Sequence, residues 1–208
     1  MDKLTEFYSS FRQLSLPAKS IILTPTEKVL DVHHIEKGYV RMYLIEESGI
    51  ELTLNIFRPG SYLPLFLALT SKKNSYYFES ITDIIYRKAP VEKFLDFIQD
   101  KPSILYDFTK RLAAGLNGYL IKTEILLLHD AYKKIISLLA YLAEHFGEKQ
   151  ENGITINMEI THYFISTMLG ITRETVSRQM RKLEKQGVIQ TGDQRLVILK
   201  PEAVRFPF

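Results

Sequence analysis

Arg173, Glu174 and Arg178 are the side chains in this sequence whose types and spacing best fit a defined chemistry. An arginine can donate two hydrogen bonds to O6 and N7 of guanine, and a glutamate can accept one from N4 of cytosine. At about 100° per residue, the three side chains project from one side of a helix. The pattern therefore predicts a helix that reads base edges in the major groove of double-stranded DNA.

The same helix combines a polar surface with an apolar stripe. Val176, Met180 and Leu183 recur at intervals of four and three residues, which predicts one buried side. We expect the polar surface to contact DNA through Thr172, Arg173, Glu174, Thr175, Ser177, Arg178 and Arg181. The alternative is a solvated charged surface, on which Glu174 only complements the helix dipole.

A second short helix precedes this one across a glycine. Thr161 can cap it, Gly170 supplies the positive φ of a sharp turn, and Thr172 can cap the helix that follows. Together these signals predict a helix-turn-helix. Residues 188–199 alternate around Thr191-Gly192-Asp193, which predicts a two-stranded wing. Arg195 on this wing is a further candidate DNA contact, although a solvent-facing strand arginine fits the pattern equally well.

The segment 172–178, TRETVSR, resembles the recognition-helix signature of the Crp/Fnr family of transcription regulators. In the branch of the family that contains the catabolite activator, the two arginines and the glutamate of this signature read base pairs. The resemblance implies that role for Arg173, Glu174 and Arg178. It also implies a homodimer, a palindromic operator in double-stranded DNA and RNA polymerase as a partner.

Basic residues are concentrated near the C-terminus. Residues 161–208 hold 8 Lys/Arg against 4 Asp/Glu, whereas residues 1–160 hold 19 against 20. A local basic surplus suits contacts with phosphates, whose counterion release makes binding depend on salt. The change of pattern along the 208 residues favours two domains, which we place at residues 1–128 and 129–208.

Composition excludes several classes of protein. The sequence has no cysteine, which excludes disulfides and an iron-sulfur cluster held by cysteines. The apolar run from Tyr62 to Leu69 is short and contains Pro64, so we expect no membrane span. The start MDKLTEFYSS is not typical of a signal peptide, and we expect a cytoplasmic location.

The first hundred residues have the alternation of β-strands. Residues 39–45 and 51–57 alternate on either side of Glu47-Ser48-Gly49, which predicts a hairpin, and residues 21–35 and 76–87 are further β-rich runs. We predict an α+β fold with an N-terminal antiparallel β-roll or jelly roll. The resemblance implies that this β-roll is the effector domain and is similar to cyclic-nucleotide-binding domains.

A long helix is predicted over residues 102–128. Apolar and small residues follow alternating steps of four and three, as in a coiled-coil seam. The predicted dimer interface consists of Leu105, Leu112, Leu116, Tyr119, Thr123 and Leu126. A single buried helix in a monomer is the alternative. We expect the helix to end near His129-Asp130, where Asp130 can cap a helix over residues 131–146 and the junction can act as a hinge.

The positions that bind cyclic nucleotides in this family are altered. Its cyclic-nucleotide binders carry a glycine-glutamate pair and an arginine-serine pair, and this sequence has Pro64-Leu65 and Asn74-Ser75-Tyr76 in their places. Loss of the arginine removes the charge-assisted partner of the phosphate, so we expect cyclic AMP not to bind.

Aromatic side chains lie nearby in the sequence. We predict a pocket for an apolar or aromatic effector, lined by Tyr62, Phe66, Tyr76, Phe78 and Tyr119. A filled core is the alternative. No cofactor is predicted, and no metal site is expected, because His33 and His34 are adjacent on one strand and point to opposite faces. The sequence leaves haem open, although no pair of axial ligands stands out.

Three functions fit these observations. The first is a homodimeric regulator whose β-roll senses a small molecule. The second is a DNA binder that is constitutive or controlled by a protein, with a vestigial sensor domain. The third is a β-roll enzyme with an accessory basic domain. We rank the enzyme last because no cluster of residues in the β-roll would organise catalysis.

Overall fold

The computed structural model describes residues 3–192 and 195–204. They form two compact units, one up to Gly115 and the other from Leu116 onward. This division falls inside a helix of 27 residues, which contributes to both units. The domain boundary between residues 128 and 129 stays a prediction.

The first unit is a β-roll with short helices. In chain order its elements are α1 (Lys3–Ser9), β1 (Gln13–Leu16), β2 (Ile21–Leu23), β3 (Asp31–Lys37), β4 (Val40–Ile45), β5 (Glu51–Phe57), β6 (Tyr62–Leu63), α2 (Leu65–Thr70), β7 (Tyr77–Ser80), β8 (Ile84–Pro90), α3 (Val91–Gln99) and the first part of α4 (Pro102–Leu128). The strands form two antiparallel sheets with the orders β1-β8-β3-β6 and β2-β7-β4-β5. The predicted β-roll and its β4–β5 hairpin are therefore confirmed.

Residues from both sheets form one apolar core. Ile35, Val40, Leu63, Phe78 and Ile84 are at most 1% exposed. Burying a side chain of this size contributes about 1.5–3 kcal/mol. The alternation of apolar and polar residues along the strands arises because one face of each sheet packs in this core.

A second core lies between one sheet and the helices. Tyr8 of α1, Phe94 and Ile98 of α3 and Phe108 of α4 are buried together with Val32 of β3. The Tyr8 hydroxyl donates to the Val32 carbonyl oxygen at 3.1 Å, and burial raises the pKa of Tyr8. Sequence reasoning missed α1, α2 and α3, although the spacing of Phe94 and Ile98 is that of an amphipathic helix.

The second unit combines helices with a small sheet. It contains the rest of α4, α5 (Ala131–Phe146), β9 (Gly147–Gln150), β10 (Gly153–Ile156), α6 (His162–Leu169), α7 (Arg173–Lys185), β11 (Ile189–Gly192) and β12 (Arg195–Ile198), followed by a 3-10 turn (Pro201–Ala203). Asp130 caps α5, because its carboxylate accepts from the Lys133 amide at 2.9 Å. The predicted bounds of α4 and α5 are confirmed.

Two classes of feature are missing from the part of the chain that the structure describes. None of its helices has the length and apolar character that crossing a membrane requires. Nor does any group of three or more histidine, aspartate or glutamate side chains there have an arrangement that could hold a metal ion.

Substitution by alanine should have opposite effects on stability at two glycines of the second unit. Gly170 has a φ of 61°, where an added methyl group is strained, so Gly170→Ala should destabilise the protein by about 1–2 kcal/mol. Gly118 lies inside α4 with open space where an added Cβ would lie, so Gly118→Ala should stabilise it by about 0.5–1 kcal/mol. Urea unfolding of both variants measures the two effects. Equal effects of the same sign would contradict the assigned backbone geometry.

Candidate nucleic-acid interface

The turn between α6 and α7 is held by a cap on each side and a glycine between them. The Thr161 hydroxyl accepts from the Phe164 amide at 3.0 Å and caps α6. Gly170 ends α6 in the left-handed conformation, and its amide donates to the Ser166 carbonyl oxygen. The Thr172 hydroxyl accepts from the Thr175 amide at 3.2 Å and caps α7. Each of these predictions from the sequence is confirmed.

The apolar stripe of α7 is buried against the two preceding helices. Val176, Met180 and Leu183 are at most 1% exposed, and α7 packs on α5 and α6. In α6, Ile165 is fully buried and Met168 is 4% exposed. This packing fixes which side of α7 points away from the protein.

The outward side of α7 is basic and open to solvent. Arg173, Glu174, Arg178 and Arg181 are exposed, and Ser177 is half-buried. Three guanidinium groups and one carboxylate supply bidentate donors and one acceptor on a helix of 13 residues, which is about 20 Å long. A major groove about 12 Å wide admits such a helix.

Two of the predicted contact residues also have a structural role. The Thr172 hydroxyl donates to the Thr175 hydroxyl at 3.1 Å, in addition to its cap on the Thr175 amide. Thr172 is exposed and Thr175 is half-buried at the start of α7. Their hydroxyls thus organise the N-terminus of this helix, and their contact with DNA stays a prediction.

The predicted wing is present beside α7. Strands β11 and β12 pair antiparallel, with Gly192 opposite Arg195. Arg195 is exposed at the start of β12. The Thr191 hydroxyl donates to the Glu184 carboxylate, which ties the wing to one side of α7. Asp193, part of the predicted turn, lies outside the described residues.

Two strands that sequence reasoning missed extend the wing into a four-stranded sheet. Its order is β11-β12-β10-β9. The signal was Asn152-Gly153 between two short runs, which is typical of a hairpin. A Cβ on Gly153 would lie 2.1 Å from the Ile198 carbonyl oxygen, so this close approach of β10 and β12 requires glycine.

The predicted effector residues do not form a single group. Phe66 and Tyr76 pack against the core cluster that contains Phe78, and the rings of Phe66 and Tyr76 meet edge to face at 6.1 Å. Tyr62 lies in the other cluster, 5.4 Å from the Phe108 ring. Strand β6 directs Tyr62 towards the helices, and a role for these residues in an effector pocket stays a prediction. Tyr119 belongs to the second unit and is 42% exposed.

The positions aligned with the nucleotide-binding pairs have local structural roles. Leu65 begins α2 directly after Pro64. Asn74 is 2% exposed, and its amide nitrogen donates to the carbonyl oxygens of Thr24 at 2.7 Å and Tyr76 at 2.8 Å. Its amide oxygen accepts from the Tyr76 amide at 3.0 Å. Asn74 therefore organises its own loop and offers no positive charge to a phosphate.

Helix α4 presents apolar side chains to solvent along its predicted seam. The exposed fractions are 36% for Leu105, 46% for Leu112, 62% for Leu116 and 42% for Tyr119. Thr123 is exposed, and Leu126 is half-buried. An aligned set of exposed leucines is typical of a surface that meets a partner.

The sequence is similar to those of transcription regulators. Residues 133–205 match the family described as the Crp-like helix-turn-helix domain. The chain is 26% identical over 186 residues to the global nitrogen regulator of Nostoc sp. strain PCC 7120, covering 86% of this chain and 82% of that one. It is 27% identical over 187 residues to the cAMP-activated global transcriptional regulator CRP of Salmonella typhimurium, covering 88% and 87%.

Solved structures have the same architecture. A variant of CooA from Carboxydothermus hydrogenoformans superposes with a TM-score of 0.76 at 25% identity, covering 94% of this chain and 86% of that one. The c-di-GMP responsive regulator CLP of Xanthomonas campestris has a TM-score of 0.81 at 18% identity, covering 94% and 97%, which concerns the fold alone. Residues 133–205 are therefore a Crp-like helix-turn-helix domain, and the chain, with its β-roll, long helix and helix-turn-helix, is similar in sequence and architecture to DNA-binding transcription regulators of the Crp/Fnr family.

Proposed function

We propose that the protein is a homodimer that binds a palindromic DNA operator, with one α7 in the major groove of each half-site. The observation that supports this most is the exposed set of Arg173, Glu174 and Arg178 on a capped helix whose other side is buried. A two-fold dimer would present two such helices to half-sites about 34–36 Å apart. The protein acts by binding and not by catalysis, and RNA polymerase is the partner that its family implies.

Different side chains would contact the bases and the phosphates. Arg173 and Arg178 would grip guanines, and Glu174 would accept from a cytosine. Arg181 and Arg195, together with the hydroxyls of Thr172, Thr175 and Ser177, would contact phosphates and fix the register. We therefore expect G·C pairs within each half-site and an affinity that falls as salt rises.

Arg178→Ala tests the base-reading assignment. Loss of one bidentate contact should weaken operator binding by about 1–3 kcal/mol and relax the preference at one base pair of each half-site. Selection from a random DNA pool, followed by affinity measurements, reads both effects. Arg12→Ala, which removes an exposed arginine from the first unit, is the matched control and should leave the selected motif unchanged. An unchanged affinity and motif for Arg178→Ala would contradict the assignment.

The apolar side of α4 supports the dimer. Leu112 and Leu116 are four residues apart and 46% and 62% exposed in the single chain. Covering about 100 Å² of apolar surface contributes about 2.5 kcal/mol, so a seam of several leucines can drive association. A second copy of the same helix would cover the seam by two-fold symmetry.

The double substitution Leu112→Glu with Leu116→Glu tests this interface. Like charges in a buried seam should produce monomers that bind the operator weakly, since carboxylates left unpaired in an interface are costly. Sedimentation velocity measures the assembly. Tyr106→Glu, at a position of α4 that is 66% exposed and outside the predicted seam, should leave the dimer intact. If the doubly substituted protein is still a dimer, the seam of α4 is not the dimer interface.

We also propose that the β-roll binds an apolar or aromatic small molecule near Phe66, Tyr76 and Phe78. The relatives support a variable effector, since one is named as cAMP-activated and one neighbour as c-di-GMP responsive. Asn74 gives no phosphate-binding charge, which speaks against cyclic AMP in this chain. The edge-to-face packing of Phe66 on Tyr76 favours a second candidate, a DNA binder with a filled and vestigial sensor domain.

A melting-temperature screen distinguishes these candidates. Cyclic AMP and cyclic GMP should leave the melting temperature unchanged. An aromatic ligand present at 100 times its Kd should stabilise the folded protein by about 2.7 kcal/mol. Stabilisation by cyclic AMP at micromolar concentration would contradict the argument from Asn74, and a screen without any stabilising compound would support the vestigial sensor.

A further inference from the structure

Tyr132 joins the first turn of α5 to the far end of the recognition helix. It is the second residue of α5, and only His129 and Asp130 separate that helix from α4. Its side chain is half-buried. Because Asp130 caps α5, the first turn that carries Tyr132 is itself fixed in position.

Lys182 of α7 and Gln186, which directly follows α7 as its C-cap, contact the Tyr132 side chain. The Lys182 ammonium lies 4.5 Å from the centroid of the Tyr132 ring, a cation–π contact. The Tyr132 hydroxyl donates to the Gln186 side-chain oxygen at 3.3 Å. Lys182 and Gln186 are four residues apart and therefore lie on the same side of α7. One aromatic ring thus spans the last turn of the recognition helix.

The other side of α7 is held by the wing. The Thr191 hydroxyl donates to the Glu184 carboxylate. At about 100° per residue, Glu184 projects on the opposite side of the buried stripe from Lys182. The C-terminal half of α7 is therefore held from two sides, by the wing and by Tyr132.

The contacts of Tyr132 and of the wing restrict small rotations of α7 that the buried stripe permits. Val176, Met180 and Leu183 determine which face of α7 points outward, but apolar contacts are non-directional and permit small rotations of the helix. A bidentate arginine contact with guanine tolerates little displacement of the helix. Non-specific binding to phosphates is far less demanding, because it depends on charge alone.

We propose that Tyr132 is a positioning residue that sets the angle of α7 for base reading and links that angle to the junction between α4 and α5. The inference rests on the proposed operator binding. The preference of the protein for its operator sequence would then depend on Tyr132, a residue that contacts no base. A change at the junction acts on α7 directly through Tyr132.

The experiment measures the affinity of the full-length protein for its selected operator and for non-specific duplex DNA. Tyr132→Leu should weaken operator binding about threefold to tenfold, which corresponds to about 0.7–1.4 kcal/mol. Non-specific affinity should change by less than about twofold, since no exposed charge is removed. Tyr132→Phe keeps the ring over Lys182 and should restore operator binding to within about twofold of the original protein.

Two further comparisons isolate the contact. Tyr106→Leu removes an equivalent ring, which lies 5.0 Å from the Lys110 ammonium on α4, and should leave operator affinity unchanged. In a Lys182→Met background, Tyr132→Leu should cause little additional loss, because both substitutions break the same contact. Should Tyr132→Leu fail to fold, Lys182→Met tests the contact from the α7 side: it should lower operator affinity more than Lys185→Met, which removes an equally exposed charge from the same helix.

The possible outcomes are distinct. Operator binding by Tyr132→Leu equal to that of the original protein would overturn the inference and leave operator recognition standing. An equal fall in operator and non-specific affinity would also overturn it, since a loss of folded protein has that effect. If the unaltered protein shows no preference for any operator, the proposed function itself fails.

Discussion

The orientation of α7 depends on one constraint, which is that Val176, Met180 and Leu183 are buried together against α5 and α6. Each contributes about 1.5–3 kcal/mol when it leaves water. Turning the helix by half a revolution would expose all three and would push Arg178 and Arg181 towards the core, where an unpaired charge costs several kcal/mol. The basic side of α7 therefore has one orientation, and the chemistry at its surface follows from an apolar stripe that touches no ligand.

The surrounding elements turn this orientation into a usable geometry. Thr161, Gly170 and Thr172 set the angle between α6 and α7 with two caps and a left-handed residue. The wing and Tyr132 then hold the two sides of the C-terminal half of α7. These contacts are individually modest, but they constrain the helix in directions that the buried stripe does not.

The helix-turn-helix was predictable from the sequence because its signals are local. Thr161, Gly170 and Thr172 act within four residues of their own positions, and the bounds of α4 and α5 follow from Pro102 and from the Asp130 cap. The division of the aromatic side chains was not predictable, because it depends on strand register between distant segments. Tyr62 pairs with His34 and joins the helical cluster, whereas Phe78 pairs with Met42 and joins the core between the sheets.

The central claim is that α7 reads base edges in the major groove of two symmetric half-sites. Methylation interference tests this most directly, since guanine N7 lies in the major groove and adenine N3 lies in the minor groove. The account predicts that guanine N7 methylation blocks binding at two symmetric clusters about one helical turn apart. Interference confined to adenine N3, or a single cluster without symmetry, would contradict it.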